Sequence, residues 1–336
     1  MTPGNRQPGR RPRSGTRDHP TAKASGTKEK SALRGSVHHG SDPAPSTVLD
    51  STVVRNLAAA ALIEDRVADD ITTNALVPSD QTGRAVITAQ AEGVLAGLPL
   101  AQAVFAKVDA ELGWKADKFD GDRISPGDRI AAIEGALASI LRAERIALNF
   151  LSHLSGVASM AATVVALLEG SNCRLRDTRK TTPGLRALEK YAVRTGGGTN
   201  HRVDLSDGVL IKDNHLAALR ARLPAATDHI QEAIRLARKS NPNVAIEIEV
   251  TSLEEAQRAI QAGADELLLD NMSLRDMADA VRAAARRKPR PLLEASGGIT
   301  LTSARAVADT GVDFISLGGI THSAPALDLS LEVEEG

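Results

Sequence analysis

Seven cationic side chains, Arg179, Lys180, Arg194, His201, Arg202, Lys212 and His215, fall within 37 residues of one another. Arginine grips a carboxylate or phosphate through two parallel hydrogen bonds, whereas lysine acts as a mobile point charge. Grouped in one pocket, such cations suit a small ligand bearing several negative charges, because unmatched they would repel one another. Arg186 and Lys190 read differently, as cations on a solvated helix face. Farther along, Ser296-Gly297-Gly298 and Gly318-Gly319 each follow an apolar run, and each reads as leading into a helix. Glycine lets the backbone approach an anion, and paired sites of this kind on the last two strands of a barrel form a phosphate cradle. Two acids, Glu249 and Asp270, close neighbouring strand-like runs. They either pair with the surrounding cations or offer oxygen ligands to Mg2+ and to sugar hydroxyls. The chain has no GxxxxGK[ST] loop, no GxSxG elbow and no His/Cys cluster at zinc spacing, which removes the main support for a P-loop NTPase, a serine hydrolase or a zinc enzyme.

Elements must bring these residues together. After Cys173 the chain alternates strand-like runs (174–177, 209–212, 245–250, 266–270, 292–295, 314–317) with amphipathic helical stretches at 228–239, 253–262 and 274–287. That rhythm predicts parallel strands with crossover helices. Six or seven units over about 150 residues predict a closed or nearly closed barrel, with a doubly wound open sheet as the alternative. The charged and glycine-rich groups sit at the C-terminal strand ends, the catalytic rim of such a barrel. Upstream, 52–64 reads as a helix capped by Ser51, followed by strands at 83–89 and 93–96 and a helix at 98–108. The stretch 120–134 reads as turns between short strands, and 136–168 as an apolar helix interrupted near Ser155-Gly156.

Aromatic residues are only 2% of the chain, so Ala, Val, Leu and Ile must fill the core, and base stacking on single-stranded nucleic acid has little to work with. The lone Cys173 excludes an internal disulfide and reads as the start of a buried strand. No apolar run reaches the roughly 18 residues of a membrane span, and the N-terminus lacks the apolar stretch of a signal peptide, so a cytoplasmic protein with no membrane partner is expected. Residues 1–47 carry a net charge of +6, against −7 for the remainder, and few large apolar side chains. They are expected to form a disordered basic tail; nucleic-acid binding through it is the non-enzymatic alternative.

The motifs DTRKTTPGLRALEKYAVRTGGGTNHR, LIKDNH, EIEVTSLEEA, LLLDNMS, EASGGIT and SLGGITHS closely resemble those of quinolinate phosphoribosyltransferases. ALIEDRVADDITT, GVLAGLPLAQAVF and AERIALNFLSHLSG extend the likeness, which runs from about residue 49 to residue 331. The resemblance implies an N-terminal α/β sandwich domain (48–160), an open-sided TIM-like α/β barrel (161–325) and a C-terminal segment (326–336) packing back on the first domain. It implies phosphoribosyl transfer from phosphoribosyl pyrophosphate to quinolinate with decarboxylation, using Mg2+, in a homodimer or higher oligomer with shared active sites. By motif, Arg179, His201 and Arg202 hold the quinolinate carboxylates, and Arg145 reaches in from the partner subunit. Lys180 and Lys212 lie between the two substrates. Glu249 and Asp270 meet the ribose hydroxyls, directly or through Mg2+. Ser296, Gly297, Gly298, Gly318 and His322 cradle the 5-phosphate. Asp69, Thr195 and Ser206 depart from the usual residues of the family. A non-decarboxylating nicotinate phosphoribosyltransferase and a molybdenum-cluster phosphoribosyltransferase-like protein are the nearest alternatives.

Overall fold

A computed structural model describes residues 49–224 and 227–334; the expected basic tail lies outside the described residues. The first helix, α1 (Ser51–Glu64), is capped by Asp50 rather than Ser51. Asp50 Oδ1 accepts the N–H groups of Thr52 and Val53, so the carboxylate one residue before the helix meets its unpaired donors. Asp70 does the same for α2 (Ile71–Leu76). Between these helices Asp69, one of the atypical residues, pairs at the surface with Arg66. An antiparallel sheet follows, in the order β12 (Leu329–Val333), β1 (Thr82–Ala89), β5 (Arg129–Ala136), β3 (Gly113–Ala116). The C-terminal strand therefore completes the N-terminal sheet. A two-stranded ribbon pairs β2 (Gly93–Val94) with β4 (Arg123–Ile124). The helix α3 (Leu98–Val108) receives its cap from a distance: the Asp120 carboxylate accepts the N–H groups of Gly97 and Leu98 and the Tyr191 hydroxyl.

The helix α4 (Leu137–Leu167) runs unbroken for 31 residues, through the position where an interruption was expected and past residue 160. Ser155 and Gly156 are buried packing sites rather than breakers. Ser155 Oγ accepts the Ala96 N–H. A Cβ on Gly156 would stand 2.0 Å from the Pro325 carbonyl oxygen, so glycine lets the C-terminal segment cross the helix in contact. Residues 146–167 contain no Asp, Glu, Lys or Arg, and the helix is long and apolar enough by composition to cross a bilayer. Here it is a core helix, with Ile140, Leu151, Leu154, Val157 and Val164 wholly buried.

Six parallel strands make the second sheet: β6 (Arg174–Arg176), β7 (Val209–Ile211), β8 (Ile246–Val250), β9 (Glu266–Asp270), β10 (Leu292–Ser296) and β11 (Phe314–Ser316). Their order is β6-β11-β10-β9-β8-β7. From β7 to β11 each strand pairs with the next, and the last returns to the first, leaving only β6 and β7 unpaired with each other. A doubly wound sheet reverses direction at a switch point; this order does not, and it is that of a barrel open on one side. At the opening Thr199 bridges to Arg176 of β6, adding a strand-like edge.

Around the sheet lie α5 (Arg186–Thr195), α6 (Asp213–Arg220), α7 (His229–Ser240), α8 (Leu253–Ala262), α9 (Leu274–Ala284) and two short helices, α10 (Ala304–Ala308) and α11 (Gly319–His322). Gly263, at φ 86°, stops α8 as a left-handed cap. The regular part of α9 ends at Ala284, three residues short of expectation. There the ladder tightens to Arg286→Ala283 and Arg287→Ala284 bonds ahead of Pro289. Cys173 is buried at the mouth of β6, where burial pushes its thiol up to about 12, so it is no nucleophile.

Candidate active site

The rim is assembled from the ends of these strands. β6 runs into Asp177-Thr178-Arg179-Lys180, and the Thr199 edge carries His201 and Arg202 to the same place. Two ties fix that edge: Thr199 N–H donates to the Leu175 carbonyl at 2.8 Å, and Asp177 N–H donates to the Thr199 carbonyl at 3.1 Å. Asp177, wholly buried, accepts from Lys190, from Asn200 Nδ2 and, at 2.9 Å, from His201 N–H. Lys190 Nζ also donates to the His201 carbonyl at 2.9 Å. Lys190 is therefore a buried clamp, not the solvated cation its helix position predicted. Arg186 is likewise engaged, donating to Thr181 Oγ1 and the Val203 carbonyl. The glycine run beside it serves packing: a Cβ on Gly196 would stand 2.2 Å from the Ala158 carbonyl oxygen of α4, and Gly197 has φ 89°. Thr195 donates to the Tyr191 carbonyl of its own helix, and Ser206 to Asp204.

Two cavities open at the rim. One, of about 300 Å³, is lined by Arg179, Lys180, His201, Arg202, Lys212, Glu249, Asp270, Glu294 and Ser296. The other, of about 360 Å³, is lined by Ser296, Gly297, Gly298, Thr300, Gly318, Gly319 and His322. Thr178, Lys180, Ser296 and Ser316 line both. Lys212 Nζ lies 2.5 Å from Glu249 Oε2. Asp270 accepts from Asn271 Nδ2 at 2.8 Å. Asn271 holds a left-handed φ of 53° and packs where a Cβ on Gly297 would sit, 2.5 Å from its amide. The segment after Ser296 is a turn through Gly297 and Gly298, both at positive φ, and the helix expected after it follows at Ala304–Ala308. Thr321 Oγ1 donates to the Lys180 carbonyl at 2.7 Å and ties the two halves of this second cavity.

Three predicted cations fall elsewhere. Arg194 donates to Asn200 Oδ1, and neither cavity's lining includes it. His215 turns back to accept the Lys212 N–H at 2.9 Å. Arg145 projects from α4, its side chain 67% exposed beside Glu144, in a separate groove with Asn149, His153 and Pro183. His201 lines the first cavity; its Nδ1 accepts the Arg202 N–H at 2.7 Å and its Nε2 is buried 2.9 Å from Glu247 Oε2. Arg202 donates to the Gly208 carbonyl at 3.0 Å. Burial, and then neighbouring Arg179, lower its pKa.

Below the rim lies a layer that the motif reading passed over: Arg176, Glu247, Glu266 and Glu294. A signal for it existed. Side chains two apart share a face of a strand, so Glu247 lies beneath Glu249, Glu294 beneath Ser296, and Glu266 beneath Leu268 and Asp270. Glu189 was also missed. It is wholly buried on α5 and accepts from His153 Nε2 at 3.0 Å and Thr182 N–H at 3.1 Å. Burial raises its pKa, but those two donors outweigh burial and hold it below the usual range. It anchors the loop that follows Lys180.

Comparison with known proteins agrees with this geometry. The family described as quinolinate phosphoribosyl transferase matches through its N-terminal domain over residues 70–155 and its C-terminal domain over residues 157–332. The chain is similar to a probable nicotinate-nucleotide pyrophosphorylase [carboxylating] of Bacillus subtilis, 42% identical over 81% of this chain and 90% of that protein. It is similar to the nicotinate-nucleotide pyrophosphorylase [carboxylating] of Mycobacterium leprae, 39% identical over 81% of this chain and 94% of the other. Among solved structures, NadC from Streptococcus pyogenes is 42% identical with a TM-score of 0.79, covering 86% of this chain and all of that one.

Proposed function

The chain belongs to the quinolinate phosphoribosyltransferase family, and we propose that it joins quinolinate to phosphoribosyl pyrophosphate, giving nicotinate mononucleotide, CO2 and pyrophosphate for NAD biosynthesis. One observation carries this reading: two adjoining cavities of opposite design share Lys180 and Ser296. The first holds two arginines and two lysines, suited to a dicarboxylate. The second is a cradle of glycine, hydroxyl and imidazole groups suited to a phosphate.

In this reading Arg179 and Arg202 orient the two carboxylates, and His201 shapes the pocket wall through its own internal bonds. Ser296, Gly297, Gly298, Gly318 and His322 hold the 5-phosphate. The pyridine nitrogen is thereby placed at the junction, where it displaces pyrophosphate from the ribose carbon. Positive charge develops on the ribose in that step, and Glu249 and Asp270 face it with fixed negative charge, a preorganised stabilisation. Lys180 and Lys212 offset the charge gathered around the leaving group. Quaternisation then makes the ring nitrogen an electron sink for the pair left on the ring carbon as CO2 departs, and that carbon takes up a proton from water. The oxygen donors of Glu249 and Asp270 fit Mg2+, which takes one or two carboxylates together with substrate oxygens; held there it would neutralise pyrophosphate charge. The free buried Cys173 suits a reducing cytoplasm.

Quinolinate labelled in its 2-carboxylate tests the reaction. Release of one labelled CO2 per nucleotide formed is expected. Turnover of nicotinate without CO2 release would overturn the proposal in favour of the non-decarboxylating enzyme, whose substrate has one carboxylate for the same set of cations.

Arg145, exposed and outside both cavities, acts in the partner's site in this reading, which requires a dimer. Arg145→Ala and Lys212→Ala homodimers should each be nearly inactive. Mixed in equal amounts with subunit exchange, they should recover about one quarter of wild-type activity, because each heterodimer regains one intact site. No recovery, with exchange verified, would place Arg145 outside the site.

A further inference from the structure

Beneath the dicarboxylate cavity, three carboxylates meet two bases. Arg176 Nη1 lies 2.5 Å from Glu294 Oε2 and also bonds Glu266, with its guanidinium stacked 3.5 Å from the centroid of the Phe314 ring. His201 Nε2 lies 2.9 Å from Glu247 Oε2 and 3.9 Å from Glu294 Oε1. Even with His201 fully charged, Glu247, Glu266 and Glu294 outnumber the cations by one. Glu294 is wholly buried and Glu247 only 6% exposed, so water does not offset the excess. Oε1 of Glu294 and Oε1 of Glu247 are buried and unpartnered, as are the neighbouring His201 Nε2 and Ser316 Oγ. One atom each of His201, Glu247 and Glu294 lies within 4.8 Å of the others. A buried surplus of carboxylate charge that neither a cation nor water offsets is relieved when one of the carboxyls holds a proton.

We infer that Glu294 keeps a proton in the working enzyme, and that this neutral floor is what lets the cavity accept a second carboxylate. The inference rests on the dicarboxylate assignment made above. Glu294 lines the cavity itself, so an ionised Glu294 would set a buried negative charge under a dianionic ligand. Burial first, and then Glu247, push its carboxyl above the usual range, against the pull of Arg176 and His201. The remaining groups facing it are Ser316 on β11, Glu266 on β9 and, at the start of β6, the un-ionised Cys173 thiol. From the rim above come Arg179, Arg202, Lys180 and Lys212, with Glu249 and Asp270 opposing them. The sign follows directly. A carboxyl with raised pKa is neutral at low pH and loses its proton as pH rises, so affinity for a dianion should fall on the alkaline side.

The test is binding of benzene-1,2-dicarboxylate, an unreactive mimic, by calorimetry from about pH 6.5 to about pH 9, where its carboxylates stay ionised. Benzoate is the single-charge control. In the wild type, dicarboxylate affinity should fall with pH by up to about tenfold per unit once the proton is lost, and benzoate affinity by less. E294Q should flatten the dicarboxylate slope. E247Q, which removes the third carboxylate, should flatten it as well, so one folded variant suffices. A wild-type slope retained in either variant would overturn the inference, as would a more than tenfold loss of dicarboxylate affinity in E294Q at the lowest pH. CO2 release in parallel samples reports separately on the proposed reaction.

Discussion

Replacing Lys180 with alanine should lower kcat/KM by about 10²–10³-fold, equivalent to about 3–4 kcal/mol of transition-state stabilisation. Lys180 is the one lysine or arginine that lines both cavities, so in the proposed reaction it alone of the rim cations would face both substrates. Its stem packs on Gly318, where a Cβ would stand 3.0 Å from Lys180 Cδ. Among the described residues no carboxylate lies within ion-pair distance of its ammonium, in contrast to Lys212, which is paired with Glu249. Removing Lys180 therefore leaves no buried acid without a partner, and stability should change by less than about 0.5 kcal/mol. Lys212→Ala is a less clean experiment, because it frees the Glu249 charge at the same time. Steady-state kinetics and thermal unfolding of Lys180→Ala check both parts. Activity within about threefold of wild type would remove Lys180 from the reaction centre.

Lys190→Met should do the opposite: unfold the protein readily, and take the site with it. Lys190 and Asp177 are both almost wholly buried, and their ion pair, with Asn200, fixes the position of the His201 backbone. Losing the cation leaves a buried carboxylate unpaired, at a cost of about 3–5 kcal/mol. Burial already raises the Asp177 pKa, with Lys190 holding it down. Without Lys190 that carboxyl should take up a proton more readily. The destabilisation should accordingly be smaller at about pH 5 than at about pH 8. Adding Asp177→Asn should recover most of the loss, which denaturant titration measures directly. A single variant as stable as the wild type would show that the pair does not hold the rim together.

Much of this was legible in the sequence, for identifiable reasons. Parallel strands buried on both faces read as short apolar runs, so β8 through β11 were placed within a residue or two. Their polar terminal residues, Glu249, Asp270 and Ser296, stood out against the apolar bodies. Single residues such as Gly263 stop a helix by backbone geometry alone, and that is local information.

What the sequence determined by itself, then, is the alternation of elements, the family, and the chemical character of the rim. Which cations face a ligand was decided only by the tertiary structure. Lys190 and Lys212 are the same residue type, yet one is buried on Asp177, across the turn from its own helix, and the other sits at the rim. Gly156 read as a break until Pro325, 169 positions along the chain, was seen to cross it. The layer of Arg176, Glu247, Glu266 and Glu294 became a single cluster of charge only when β6, β8, β9 and β10 closed around it. The physical reason is common to all three cases: a charge or a close contact acquires its meaning from the groups that surround it, and those arrive from distant parts of the chain.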